Sequence, residues 1–264
     1  MNPRSPASDA PPFTGVLADK VVIVTGSARG LGRAYAEACC KAGAHVVVTD
    51  IREELGRETT AKLTGAGFKA EFLPLDLDNP DSIQAMGDAV GKKHGRIDGL
   101  VNNGALATGL GGKPFETIQI EEWDRVMRVN TRSIWLAIKA CAPYLRKSKA
   151  GKVVNISSDT ALFGSDKILH YVASKGAVIS MTRSLSRELG ADGIAVNAIA
   201  PGMTRVEATD SVSEERHQRY PAGRAIKRMQ YPEDVVGTVV FLLSDSASMI
   251  TGQLIAVNGG YWFH

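Results

Sequence analysis

Apolar positions along the chain gather into short unbroken runs, separated by longer stretches in which they recur every three or four residues. The runs are VVIVT (21–25), HVVVT (45–49), AEFLPL (70–75), DGLVN (98–102), KVVNIS (152–157), IAVNAI (194–199) and LIAVN (254–258). A strand with one wet face alternates apolar and polar residues, whereas a parallel strand covered by helices on both sides reads as continuous Val and Ile. The pattern therefore predicts about seven parallel strands with helices between them, the longest over 119–147 and 171–189. Neither an internal repeat nor a second apolar core interrupts the alternation. The expected architecture is α/β, one doubly wound sheet over residues 18–264 with helices on both faces.

Two segments break the rhythm. Residues 1–17 open with MNPRSPASDAPP, rich in Pro and Ser, and are expected to form a disordered arm rather than a secretory signal. Residues 203–230 replace a short connection by a long polar one that follows directly on a strand's carboxyl end, where ligands of such sheets bind. A substrate lid is expected there.

Composition excludes several classes. With 44% hydrophobic and 22% charged residues among 264, the chain is not largely disordered. A net charge of +3, with the Lys and Arg dispersed, gives no track for nucleic acid. The apolar run VVGTVVFLL (235–243) is far shorter than the ~20 residues a membrane span needs. No membrane association is expected, and the expected compartment is the cytoplasm. Adjacent Cys39 and Cys40 match neither a disulfide framework nor a metal-ligand spacing. HExxH, CxxC and GxSxG patterns are absent too, so no metal site and no nucleophile elbow are expected.

The first strand runs into a turn carrying Gly26, Gly30 and Gly32 and then into a helix. Such glycines let backbone and helix N-terminus approach a pyrophosphate, which the free amides and the helix dipole stabilise. Asp50 ends the second strand, where a carboxylate accepts hydrogen bonds from ribose hydroxyls and repels a 2'-phosphate. NAD is therefore expected over NADP, although Arg29 and Arg52 are cations close enough in sequence to meet a 2'-phosphate. In HYVASKGA (170–177), Tyr171 and Lys175 are four apart and share one helix face. A nearby ammonium favours an ionised phenol by roughly 1–3 pKa units, which would make Tyr171 a proton carrier. Adjacent residues on a helix point apart, so His170 gains no role from its neighbour.

Taken in order, TGSARGLG (25–32), Asp50, LDL (75–77), VNNGA (101–105), Asn130 in RVNTRS, NISS (155–158), YVASK (171–175), NAIAPG (197–202) and ITGQLIAVNGG (250–260) resemble the classical short-chain dehydrogenase/reductase family over about residues 18–262. The resemblance implies a single-domain Rossmann-type fold and a catalytic set of Asn130, Ser158, Tyr171 and Lys175. In that set Tyr171 is the acid/base, Ser158 holds the substrate oxygen, Lys175 lowers the tyrosine pKa and binds the nicotinamide ribose, and Asn130 completes a water-linked proton relay. It further implies dinucleotide contacts from Gly26, Arg29, Gly30, Leu31, Gly32, Asp50, Ile51, Asp76, Leu77, Asn103, Gly104, Ala105, Pro201, Gly202, Met203 and Thr204, besides Tyr171 and Lys175. A homotetramer is likewise implied. Two departures stand out. Gly104 and Ala105 reverse the family's usual Ala-Gly, and Val206 stands where many relatives carry a Thr that holds the carboxamide, a role Thr204 is placed to take.

The expected function is an NAD-dependent oxidoreductase moving hydride between nicotinamide and a secondary alcohol or ketone. One alternative is an NADPH-dependent 3-oxoacyl-(acyl-carrier-protein) reductase, and one of another class is a non-catalytic NAD-sensing regulator. Residues 159–163, Ile168, Met203 and the lid are the expected substrate contacts, and the small-molecule alcohol or ketone itself is not specified.

Overall fold

In the computed structural model the described residues are 14–209 and 220–263. The first thirteen residues of the expected arm, and 210–219 of the expected lid, lie outside them. Seven strands, β1 (Val21–Thr25), β2 (His45–Asp50), β3 (Ala70–Pro74), β4 (Gly99–Asn102), β5 (Lys152–Ile156), β6 (Ala195–Pro201) and β7 (Leu254–Val257), form one sheet in the order β3-β2-β1-β4-β5-β6-β7. Every neighbouring pair is parallel. The order reverses between β1 and β4, which opens a crevice at the carboxyl ends of the strands.

Side chains on β1 explain the unbroken apolar runs. Val22 and Val24 pack with Val46 and Val48 against helices α1 (Gly30–Lys41) and α8 (Glu233–Leu243), through Tyr35, Cys39, Val235 and Val239. Val21 and Ile23 point the other way, toward α3 (Pro80–His94), α5 (Ser133–Leu145) and α7 (Leu169–Gly190), meeting Ile83, Val90, Ile138 and Val178. Both faces are dry, and each buried Val or Ile contributes roughly 1.5–3 kcal/mol. The remaining helices are α2 (Glu53–Gly65), α4 (Ile120–Met127) and the short α6 (Thr160–Phe163).

Helix α3 is bounded by strong local signals. Asn79 accepts hydrogen bonds from the amides of Asp81 (2.9 Å) and Ser82 (3.4 Å), Pro80 opens the first turn, and Gly95 ends the helix at φ +77°. The helix expected over 119–147 runs without a break from Ile120 to Leu145, but it is not α throughout. A five-residue π turn, Arg128–Arg132, separates α4 from α5 and carries Asn130. Such turns widen the helix by one residue and re-aim its side chains, commonly at functional sites.

Candidate active site

The crevice holds a cavity of about 460 Å³ at the carboxyl ends of the strands. Every residue expected to contact a dinucleotide lines it, and so do Ser158, Tyr171 and Lys175. Asn130 is not among the lining residues.

The glycine turn fits a phosphate because backbone stands where side chains would otherwise be. Gly26 has φ +62°, and a Cβ there would lie 2.5 Å from Gly104 Cα. A Cβ on Gly32 would lie 2.1 Å from the Gly26 carbonyl oxygen. The turn is tied to the β4 loop: the Asn103 side chain donates to the carbonyls of Thr25 (2.9 Å) and Gly26 (3.0 Å). The Thr25 hydroxyl accepts from the amides of Asn103 and Gly104, both at 3.0 Å. This geometry accounts for the reversed pair. Glycine at 104 permits the close approach to Gly26, Leu77 Cδ1 fills the volume a Cβ would take, and the exposed Ala105 lines the cavity.

No side chain of Arg29 caps α1, so its leading amides are open to an anion. Glu207 supplies one from the far side. Burial pushes its carboxyl up, but amide hydrogen bonds, including that of Gly30, and Arg33 at 2.8 Å hold it below the ordinary range. A carboxylate oxygen thus already rests at the head of α1, where the residues fit a phosphate. Sequence inspection missed Glu207, because its partners are more than 170 residues away.

Asp50 is held by two amides, Ala28 at 3.1 Å and Arg52 at 3.0 Å, at the cavity wall. Arg29 and Arg52 line the same wall.

Ser158 follows β5, and its hydroxyl accepts from the Thr160 amide (3.3 Å) and hydroxyl (2.9 Å), leaving its own proton to donate. It meets the phenol of Tyr171, which α7 presents to the same cavity. One turn on, the Lys175 ammonium lies 5.7 Å from the Tyr171 ring centroid and donates to the Ile156 carbonyl at 2.7 Å. The expected lowering of the tyrosine pKa is not what the structure gives. Burial pushes the phenol up to about 12; the Ser158 hydrogen bond pulls it down, and the charge of Asp159 adds to the rise. Lys175, 3% exposed, is itself brought down to about 8 by burial, which weakens the cation that was expected to do the lowering.

Asn130, fully buried, spends its side chain on the Leu106 backbone and on Ser174. Its carbonyl oxygen accepts from the Leu106 amide at 2.7 Å, and its amide group donates to the Leu106 carbonyl (2.9 Å) and the Ser174 hydroxyl (3.2 Å). It anchors the β4 loop to α7. Thr204 lines the cavity with its hydroxyl donating to the Gly202 carbonyl at 2.9 Å, and Val206 stands beside it. Of the expected substrate contacts, Asp159, Thr160, Ile168 and Met203 line the cavity. Phe163 does not; it packs edge-on against Tyr261 at 5.2 Å and Tyr220 at 6.3 Å, and Tyr220 takes its place in the wall.

Burying Lys175 costs stability while it is charged. Its folded pKa lies below the unfolded 10.5, so the cost is full below about pH 8 and vanishes as pH rises through 10.5. Lys175→Met is expected to melt a few degrees above the wild type at pH 7, with the difference shrinking toward pH 10, as thermal denaturation at several pH values will read. A gain independent of pH would refute the charge explanation.

A parallel sheet with a glycine turn after β1, a carboxylate at the end of β2, and Ser, Tyr and Lys converging at the crevice defines a nicotinamide-dependent oxidoreductase. The profile described as Enoyl-(Acyl carrier protein) reductase matches residues 26–262. Cyclopentanol dehydrogenase of Comamonas testosteroni is 35% identical over 94% of this chain and 98% of its own. The 3-oxoacyl-(acyl-carrier-protein) reductase of Thermotoga maritima is 34% identical over 92% and 98%. A short-chain type dehydrogenase/reductase from Mycobacterium ulcerans superposes with a TM-score of 0.88 at 30% identity, over 92% of this chain and 90% of that one. The chain belongs to the short-chain dehydrogenase/reductase family and is an oxidoreductase acting on CH–OH groups. Among the described residues no helix is long and apolar enough to cross a membrane.

Proposed function

We propose that this protein interconverts a secondary alcohol and its ketone with NAD, Tyr171 carrying the proton. The observation that supports this most is the convergence of Ser158, Tyr171 and buried Lys175 on the same cavity whose wall holds Asp50. Bound nicotinamide supplies the hydride chemistry, and the chain supplies position and proton transfer. Ser158 donates to the substrate oxygen and stabilises charge developing on it. Tyr171 gives its proton to that oxygen in reduction and takes it in oxidation. Lys175 holds the floor of the site against β5 through Ile156, and Asn130 positions the β4 loop through Leu106.

The preference for NAD rests on Asp50, whose carboxylate is fixed by two amides at the cavity wall. Asp50→Ser is expected to raise the NADP/NAD ratio of kcat/KM by about 10- to 100-fold, the size of removing ~1.4–2.8 kcal/mol of like-charge repulsion. An unchanged ratio would remove the basis for NAD.

Arg29 and Arg52 on the same wall favour a second reading, an NADPH-dependent 3-oxoacyl-(acyl-carrier-protein) reductase. Steady-state turnover of purified protein with both dinucleotides separates the two, using cyclic and acyclic secondary alcohols, their ketones, sugars, sterols and 3-oxoacyl thioesters. The first reading expects NAD-linked turnover of a secondary alcohol. Turnover confined to NADPH and thioesters would replace it with the second.

A further inference from the structure

At the opposite end of the sheet from the catalytic cavity, three side chains far apart in sequence converge. His45 begins β2, Glu71 lies on β3 in register with Val47, and His94 is the last residue of α3. From His45 to Asp50 the strand covers roughly 17 Å, so this cluster is separate from the dinucleotide wall. His94 Nε2 lies 2.6 Å from Glu71 Oε1 and His45 Nε2 lies 3.4 Å from the same oxygen. The imidazoles meet edge to face, with centroids 4.5 Å apart and an interplanar angle of 65°. All three ligand atoms lie within 4.8 Å of one another.

We propose that His45, Glu71 and His94 form a binding site for a divalent transition-metal ion of the zinc type, which ties β2, β3 and α3 together. Two imidazoles and a carboxylate are the donor set that suits such an ion, with water completing the shell. Bonds of 2.0–2.2 Å in a tetrahedron place ligand atoms about 3.3 Å apart. The His45 to Glu71 distance already meets this, and the His94 to Glu71 contact needs to open by only ~0.7 Å. A plain hydrogen-bond cluster explains His94 and Glu71 but not His45, whose Nε2 is buried without a hydrogen-bond partner.

Lys93 contacts Glu71 through Oε2 and not through Oε1, the oxygen shared by the imidazoles. It is 60% exposed and can swing aside, while Lys69 lies 3.7 Å from Asp19.

The test uses the full chain freed of metal with EDTA and titrated with Zn²⁺ by calorimetry. One equivalent per chain is expected, with a melting temperature raised by roughly 5–10 °C at a hundredfold excess over Kd. His94→Gln and His45→Gln are each expected to weaken binding at least tenfold and erase the thermal gain, with turnover in the absence of Zn²⁺ unchanged. Should a variant fail to fold, ¹H–¹⁵N imidazole spectra of the wild type decide, since Zn²⁺ is expected to shift two of the five histidines. Absence of stoichiometric binding, equal affinity in the variants, or unmoved imidazole signals would overturn the proposal.

Discussion

Tyr171→Phe is expected to lower kcat/KM about 10²- to 10⁴-fold in both directions, the usual range for removing a positioned proton carrier. Its dissociation constant for the dinucleotide, read by fluorescence quenching, is expected to change little, because the phenol belongs to the reacting end of the cavity. The pH profile adds a second check. With the phenol pushed up to about 12 by burial, Tyr171 is protonated at neutrality in the dinucleotide-free protein. Ketone reduction therefore has its proton donor ready at pH 7, whereas alcohol oxidation needs the phenolate and its rate is expected to climb steadily as pH rises. Retained turnover in the Phe variant, with the fold intact, would remove Tyr171 from the chemistry.

Gly32→Ala is expected to be the most damaging of the glycine substitutions, because its Cβ would sit 2.1 Å from the Gly26 carbonyl oxygen and 2.6 Å from the Asn103 side chain. Backbone cannot give way as a flexible side chain can, so relief comes only by shifting the α1 head or the glycine turn. Overpacking of this kind costs about 1–3 kcal/mol or more. A melting temperature lower by roughly 2–12 °C follows for a chain of this size. The displaced turn also loses its approach to phosphate, and dinucleotide affinity is expected to fall at least tenfold, on the scale of ~1.4 kcal/mol per decade. Gly65→Ala is the control. Its Cβ meets nothing within 4 Å, and alanine is the better helix former. Equal melting temperatures for the two variants would show that the cradle tolerates the extra carbon.

The family assignment places the protein among oxidoreductases, but the residues that differ from the common pattern are informative in their own right. Gly104 and Ala105 exchange places without opening a hole, since Leu77 leans over the glycine. Phe163, a candidate for the substrate wall, belongs instead to an aromatic cluster with Tyr220 and Tyr261, which stack on each other at 4.5 Å. The wall is shaped by Tyr220, at the point where the described chain resumes after residue 209.

By itself the sequence determined what can be encoded within a few residues. The unbroken Val and Ile runs dictate strands dry on both faces, the spacing of Gly26, Gly30 and Gly32 dictates a tight turn from strand into helix, and the interval from Tyr171 to Lys175 dictates a shared helix face. Those features survive in the structure with boundaries moved by only one or two residues. Only the tertiary structure decided what depends on sums over distant elements. The π turn that turns Asn130 toward Leu106 lies within a continuous helix whose apolar period alone gives α winding throughout. The rise of the Tyr171 pKa reflects burial by surrounding elements, which the spacing to Lys175 cannot express. Glu207 reaches the head of α1, and His45 meets Glu71 and His94, because strand order and register bring together positions that the chain keeps far apart. Local pattern acts through steric preferences of neighbouring residues; burial, charge and ligand geometry arise from contacts that exist only once the sheet has closed its layers.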